Sequence, residues 1–286
     1  FSASDVPFER YGLIPVPAPR PFIAELVEAY ARAADHMRQG GFDGVEILAS
    51  MGYLIAQFLN PRTNRRDDQY GGSLENRMRF LVEVLSACRA AMGPDMILGV
   101  RISDGDPTPD AMESSGVLEV CKALEATGLV DYFSIIGGNT ATTRGWIDVF
   151  PHMAVTQGHV VPQAGVLKAR LKTPVLVAGR INQAQTAERA VADGQADMVG
   201  MVRALIADPL FPQKAREGRP DDIRACIACN QACVGHRLQY FGVSCIQHPE
   251  TGREQEAGHI KTKAARARRV AVVGGGPGGM KAAAVA

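Results

Sequence analysis

The residues best suited to chemistry are four cysteines. Cys226, Cys229 and Cys233 fall within eight residues, and Cys245 follows twelve positions later. Spacings of two and three residues let a tight loop aim several sulfurs at one point, as a metal site requires. Paired CxxC knuckles are the usual tetrahedral zinc pattern, and this is a different pattern. A three-plus-one arrangement suits a [4Fe–4S] cluster, in which each iron takes one thiolate. A zinc staple, disulfides and unbound thiols are the competing readings. An iron–sulfur cluster breaks no substrate bonds by itself, so it needs an electron-exchanging partner in the same protein.

The 286 residues suffice for one large α/β domain or two modest ones. A net charge of +1 offers no field for nucleic acid or an anionic membrane, so neither partner is expected. No apolar run reaches the length of a membrane span and no signal peptide opens the chain. Cysteines sited for metal ligation belong in a reducing compartment, and the expected location is cytoplasmic. Cys88 and Cys121 fall in helical segments and are expected to be buried packing residues. The chain opens on Phe1 and stops a few residues into a helix pattern, so a fragment is expected.

Stepping outward to the elements, residues 1–20 are Pro-rich and read as a loop. A helix from Pro21 to Gln39 should stop at Gly40-Gly41, where a left-handed residue is needed. Strands are expected at Asp43–Leu48, Ile97–Ile102, Asp131–Ile136, Pro174–Ala178 and Asp197–Val202. Helices between them cover Leu74–Met92, a stretch up to Thr127 with Asp110 and Glu113 at capping-box spacing, residues 162–171, and a stretch capped by Asn182 and Gln185. Short apolar strands alternating with amphipathic helices imply right-handed βαβ units and a parallel sheet. The informative polar residues, Tyr53, Arg101, Arg180 and Arg203, sit just past strand C-termini. That distribution predicts a TIM barrel with its site on the C-terminal face, of which about five of eight strands are present. An open doubly wound sheet is the alternative.

The stretch GFDGVEILASMGYLIAQFLNPRTNRRDDQYGGSLENRMRF, residues 41–80, closely resembles the Old Yellow Enzyme (NADH:flavin oxidoreductase) superfamily of FMN-dependent barrels. The cysteine pattern and then VAVVGGGPGG narrow the resemblance to its iron–sulfur branch, which includes 2,4-dienoyl-CoA reductase and trimethylamine dehydrogenase. The resemblance implies that Arg101 faces the N1/C2=O edge of a flavin, where a fixed guanidinium would stabilise the anionic reduced ring. It places the FMN phosphate on Gly179, Arg180 and Arg203, a close-approach glycine and two bidentate donors. Tyr53 matches the family's active-site tyrosine, a phenol able to give a proton to a carbanion forming beside the flavin. Leu48 stands where many relatives carry histidine. The block from Asn64 to Arg77 marks the family but is read as structural, with a turn at Gly71-Gly72.

The loop Gly137–Pro162 should define the substrate. It holds the only tryptophan, Trp146, with Phe150, Arg144, Asp148 and His152. Dienoyl-CoA reductases carry a histidine early in this loop, and none lies there. The aromatic rings suit a substituted ammonium held by cation–π contact. Beyond the cysteines, the basic run Lys261–Arg269 reads as a solvated linker. Gly274, Gly276 and Gly279 then form a GxGxxG turn after an expected strand at Val270–Val273, suited to FAD, ADP or NAD(P).

The sequence is therefore read in three parts: residues 1–220 as the C-terminal part of an FMN-binding barrel, 221–260 as a [4Fe–4S] segment, and 261–286 as a linker and the start of a Rossmann-like domain. The expected activity is hydride exchange between FMN and a small substrate, leaning to oxidative demethylation of a methylated amine. NADPH-dependent reduction of an activated C=C bond is the alternative. An electron-transfer or zinc-stapled module without catalysis is the reading from another class. An electron-acceptor protein or NAD(P)H, and a second copy of the chain, are the possible partners.

Overall fold

The computed structural model describes residues 1–106, 108–257 and 266–286. Its centre is one sheet of five parallel strands in sequential order: β1 (Gly44–Ala49), β2 (Ile97–Ser103), β3 (Tyr132–Ile136), β4 (Val175–Ala178) and β5 (Met198–Gly200). Helices α1 (Arg20–Gln39), α2 (Leu54–Leu59), α3 (Leu74–Met92), α4 (Ser114–Thr127), α5 (Thr143–Val149), α6 (Val161–Lys168) and α7 (Ala184–Ala192) precede or separate the strands. Sequential parallel strands with helical crossovers are consecutive βα units of a barrel wall, and the sheet stays open at β1 and β5. No helix among the described residues is long and apolar enough to cross a membrane.

One face of the sheet makes the core. Leu98, Val100 and Ile102 of β2 are wholly buried with Phe80, Leu81, Val84 and Leu85 of α3, which also carries α1. The pleat sends the intervening residues to the opposite face, the interior of the barrel wall. There β2 presents Arg101 and Ser103, both half-buried. Gly99 is needed at its position because the Tyr132 ring lies over it, 2.2 Å from where a Cβ would stand. Cys88 and Cys121 are buried in α3 and α4, and burial pushes their thiols up to about 11 and about 12, out of reach of ordinary reactivity.

The family-marking block does pack the chain together. Buried Asn64 donates to the Phe58 and Tyr70 carbonyls at 2.6 and 2.7 Å. Arg66 reaches Ala3 O and Ala18 O while pairing both oxygens of Asp68, which ties the first residues to the barrel wall. Ser73 caps α3 by accepting from Asn76 N–H at 3.2 Å.

Several local expectations are corrected. Asp110 does not cap α4. It sits at φ 63° in the preceding loop, and Glu113 occupies the cap position without a side-chain bond. Gln183, not Asn182, precedes α7, because the Asn182 amide is drawn away to the Cys226 carbonyl. The loop 137–162 contains α5, capped by Thr142 Oγ1 accepting from Gly145 N–H at 3.0 Å. Past β5 come α8 (Arg203–Ala207), α9 (Phe211–Arg216), a π-helical turn Gln231–Gly235, and the short helices α10 (His236–Leu238), α11 (Glu254–Ala257) and α12 (Pro277–Val285). Residues 270–273 form no strand, since no neighbouring strand among the described residues pairs with them. The first part of the basic run, 261–265, lies outside the described residues.

Candidate active site

The C-terminal ends of β1, β2 and β3 are stitched into a single rim. Past β1 the chain turns through two left-handed residues, Met51 at φ 59° and Gly52 at φ 74°. A non-glycine residue in that region persists only where its surroundings overdetermine it. Here the Met51 N–H donates to Ser103 Oγ at 3.0 Å, and the Met51 carbonyl accepts from both N–H and hydroxyl of Thr140. Ser103 in turn donates to Gly138 O at 2.8 Å. At Gly52 a Cβ would stand 2.2 Å from Asn139 Oδ1, so only glycine fits. This turn delivers Tyr53, a residue 39% exposed, to the wall of a chamber of about 620 Å³.

The chamber lies between the rim and the first residues of the chain, and its walls are largely apolar, with Phe8, Tyr11, Leu13 and Met112 among them. Asp106 is the one acid among the described lining residues. Its carboxylate is already engaged. Oδ2 accepts from Asn60 and Asn139 side chains at 3.3 and 2.7 Å, and Oδ1 accepts from the Thr108 N–H and hydroxyl at 3.0 and 2.5 Å.

Trp146 does not present the open aromatic face expected of it. The Arg10 guanidinium lies 3.5 Å from the ring centroid, with Phe150 packed at 4.5 Å and Arg10 N–H bonded to Ala141 O at 2.9 Å. The cation–π position that would take a substituted ammonium is filled by the protein's own cation.

A second cavity, about 290 Å³, opens at the ends of β2, β4 and β5. Arg101, from inside β2, lines it together with Gly179, Arg180 and Arg203, which follow the ends of β4 and β5. Arg180 takes φ 47°, and its buried Nε has no hydrogen-bond partner. Arg203 donates through Nη1 to Pro151 O at 2.7 Å and to Asn230 Oδ1 at 2.5 Å. Burial lowers the pKa of the Arg203 guanidinium, while neighbouring thiols pull it back up. Arg180 and Arg203, which pair with no carboxylate among the described residues, fit the phosphate of a bound flavin nucleotide.

Two assignments change in character here. Arg101 carries an ion pair with Glu46, Nε to Oε1 at 2.6 Å, so it is both a strand-end salt bridge and a wall of the cavity. Gly179 is required by internal packing, since a Cβ would stand 2.7 Å from Val160 Cγ2. Sequence reasoning missed His159, whose ring lies against Gly137 and Gly179 with both nitrogens buried and no hydrogen-bond partner among the described residues. Burial lowers its pKa, the Arg180 and Arg203 charges act in the same sense, and Asp148 opposes them. Its only sequence signal was a lone histidine before an α6 valine pair.

The cysteines adjoin this cavity. Cys226 and Cys233 help to line it, and all four of Cys226, Cys229, Cys233 and Cys245 surround a neighbouring hollow of about 20 Å³. All four thiols are free and half-buried. Burial raises the Cys226 pKa, Arg203 opposes that, and Cys233 and Cys245 add to it. Among the described residues, no group of three or more His, Cys, Asp or Glu is drawn together tightly enough to hold a metal ion. The donor set nonetheless fits an iron–sulfur cluster, since the described lining of the hollow supplies four sulfurs and neither carboxylate nor imidazole. Farther along, Gly274 at φ 110° and Gly279, whose Cβ would fall on Gly274 O, fold a tight turn, and Gly276 precedes α12.

Five parallel strands in an open sheet, with a rim at their C-terminal ends and an arginine-lined cavity, are part of a TIM-barrel wall. The chain belongs to the NADH:flavin oxidoreductase / NADH oxidase family, whose model matches residues 21–222. It is 40% identical, over 99% of its length, to a protein of Desulforamulus reducens named metal reductase, covering 41% of that protein. It is 42% identical, over 92% of its length, to the probable N-methylproline demethylase of Rhizobium meliloti, covering 39% of it. The structure matches that of a 2-naphthoyl-CoA reductase complex with a TM-score of 0.90 and 37% identity, covering 99% of this chain and 42% of the other. The chain thus spans about two fifths of the length of these relatives.

Proposed function

We propose that this chain is part of an FMN- and [4Fe–4S]-dependent oxidoreductase that reduces an activated C=C bond in the chamber beside Tyr53. The observation that carries the reading is the meeting of Arg101, Arg180 and Arg203 on one cavity whose wall runs on into Cys226 and Cys233. Arg180 and Arg203 would hold the FMN phosphate and Arg101 an edge of the ring, while Cys226, Cys229, Cys233 and Cys245 would ligate the cluster. When bound, FMN supplies hydride exchange and the cluster supplies single-electron transfer. Tyr53 reaches the chamber, its hydroxyl without a hydrogen-bond partner among the described residues, and it delivers a proton to the substrate carbon. The largely apolar walls suit an uncharged substrate there. On the same reading, residues 1–220 are the flavin part and 221–260 the cluster segment. Residues 261–286 open a dinucleotide-binding domain, in which Gly274, Gly276 and Gly279 approach FAD, ADP or NAD(P), with NAD(P)H as the electron source.

Two features favour the alkene over the amine. Arg10 already covers Trp146, and Asp106, the one carboxylate among the described chamber residues, is spent on Asn60, Asn139 and Thr108. A cationic substrate would find the Trp146 face taken by Arg10 and the Asp106 carboxylate already engaged. The likeness to an N-methylproline demethylase supports oxidative demethylation as the second reading. Anaerobic absorbance measurements on the full-length protein separate them. NAD(P)H-reduced flavin should be reoxidised by enoyl or aryl-acrylic thioesters, and oxidised flavin should not be bleached by methylated amines. Bleaching by an amine, with no reoxidation by any enoyl compound, would reverse the assignment.

A further inference from the structure

Three polar side chains meet on the interior face of the sheet, one layer below the arginine cavity. The Glu46 carboxylate of β1 lies with Oε1 2.6 Å from Arg101 Nε, on β2. Its other oxygen accepts from the Tyr132 hydroxyl of β3 at 3.0 Å. The sheet is shaped for this bridge. Gly99 leaves the space that the Tyr132 ring occupies, since a Cβ there would stand 2.2 Å from Tyr132 Cζ. The phenol is held in its donating form, pushed up to about 12 by burial and by the Glu46 charge. The Arg101 Nε–H is not aimed along the contact, so the pair is an ion pair rather than an aligned hydrogen bond. Arg101 reaches the cavity wall and Glu46 does not. The other cations of that wall, Arg180, Arg203 and Arg237, face one lining acid, Asp148.

We propose that Glu46, anchored by Tyr132, is a positioning residue that fixes the Arg101 guanidinium at the cavity wall and offsets part of its charge there. It thereby lowers the reduction potential of the flavin. This rests on the FMN reading above. A negative charge behind the guanidinium weakens the stabilisation of the reduced ring, so removing it makes reduction easier.

The test is the two-electron reduction potential of FMN in the full-length protein, measured anaerobically against reference dyes, with flavin content and melting temperature recorded. Glu46→Gln keeps the shape and loses the charge. It should favour reduction by roughly tenfold, about 30 mV for a two-electron couple. Glu46→Asp keeps the charge and should move the potential less, and Arg101→Met should move it the opposite way. Tyr132→Phe frees the carboxylate to turn toward water, so it should shift the potential in the Glu46→Gln direction by a smaller amount. Glu46→Asp and Tyr132→Phe carry the test if Glu46→Gln does not fold. Flavin-loaded Glu46→Gln with an unchanged or lowered potential overturns the role of Glu46. Wild-type protein that takes up no FMN overturns the function on which the role rests, before any variant is compared.

Discussion

Arg203 offers the sharpest perturbation, because one guanidinium serves the cavity and the cysteine loop together. Its Nη1 donates to Pro151 O at 2.7 Å and to Asn230 Oδ1 at 2.5 Å, and Asn230 passes the link back through its amide to Phe150 O at 2.8 Å. Arg203→Ala removes two charge-assisted bonds, each worth about 1.5–3 kcal/mol. Both acceptors are only partly buried and regain water, so the net loss of stability should be about 2–4 kcal/mol. The phosphate contact from the remaining guanidinium nitrogens is lost as well. At about 2–4 kcal/mol, that weakens FMN binding by roughly 30- to 900-fold. The assay is quenching of flavin fluorescence as FMN is titrated into apoprotein, with riboflavin, which lacks the phosphate, titrated in parallel. FMN affinity should fall while riboflavin affinity holds. Arg203→Lys should recover part of the loss, since lysine keeps the charge without the planar fork. Equal weakening for both ligands, or none for FMN, would refute the phosphate assignment.

Tyr53→Phe should leave FMN content intact while slowing turnover by roughly 10²–10⁴-fold, as loss of a proton donor does; unchanged steady-state turnover would return the residue to packing. Cys229→Ser should lose iron and sulfide, and Cys121→Ser should retain both, because Cys121 is wholly buried in α4. Iron analysis of the two variants that gave the reverse order would remove the cluster assignment. His159 is held neutral by burial, so its folded pKa lies below the value of about 6.5 that an unfolded histidine shows. The unfolded chain therefore binds the extra proton, and stability should fall as pH drops below about 6.5 and be fully present above it. Urea melts at pH 5.5 and 7.5 should show that slope, and His159→Gln should flatten it. A slope of equal size in His159→Gln would assign it to other groups.

The strands were legible because each is a short, mostly apolar run rich in β-branched or aromatic residues, and each ran within two residues of the expected bounds. The placement of Arg180 and Arg203 was legible because a polar residue just past a buried parallel strand has only the C-terminal rim to face. Arg101 lies inside β2 and reaches the same cavity from the interior face of the sheet. What was hidden depends on partners distant in sequence. Asn182 looked like a helix cap until the Cys226 carbonyl, 44 residues on, claimed its amide. Trp146 looked like a substrate face until Arg10, from the Pro-rich start of the chain, covered it. The Glu46–Tyr132 bond spans 86 residues, and only the three-strand register brings its ends together. Local propensity carries no trace of such pairs.

The most direct measurement is the cofactor content of the full-length protein purified without oxygen. The arginine cavity beside four free thiols predicts one FMN and about four iron with matching sulfide per chain, with flavin and cluster absorbance both visible. Protein that carries zinc and no flavin, or flavin with no iron, would contradict the account at its centre.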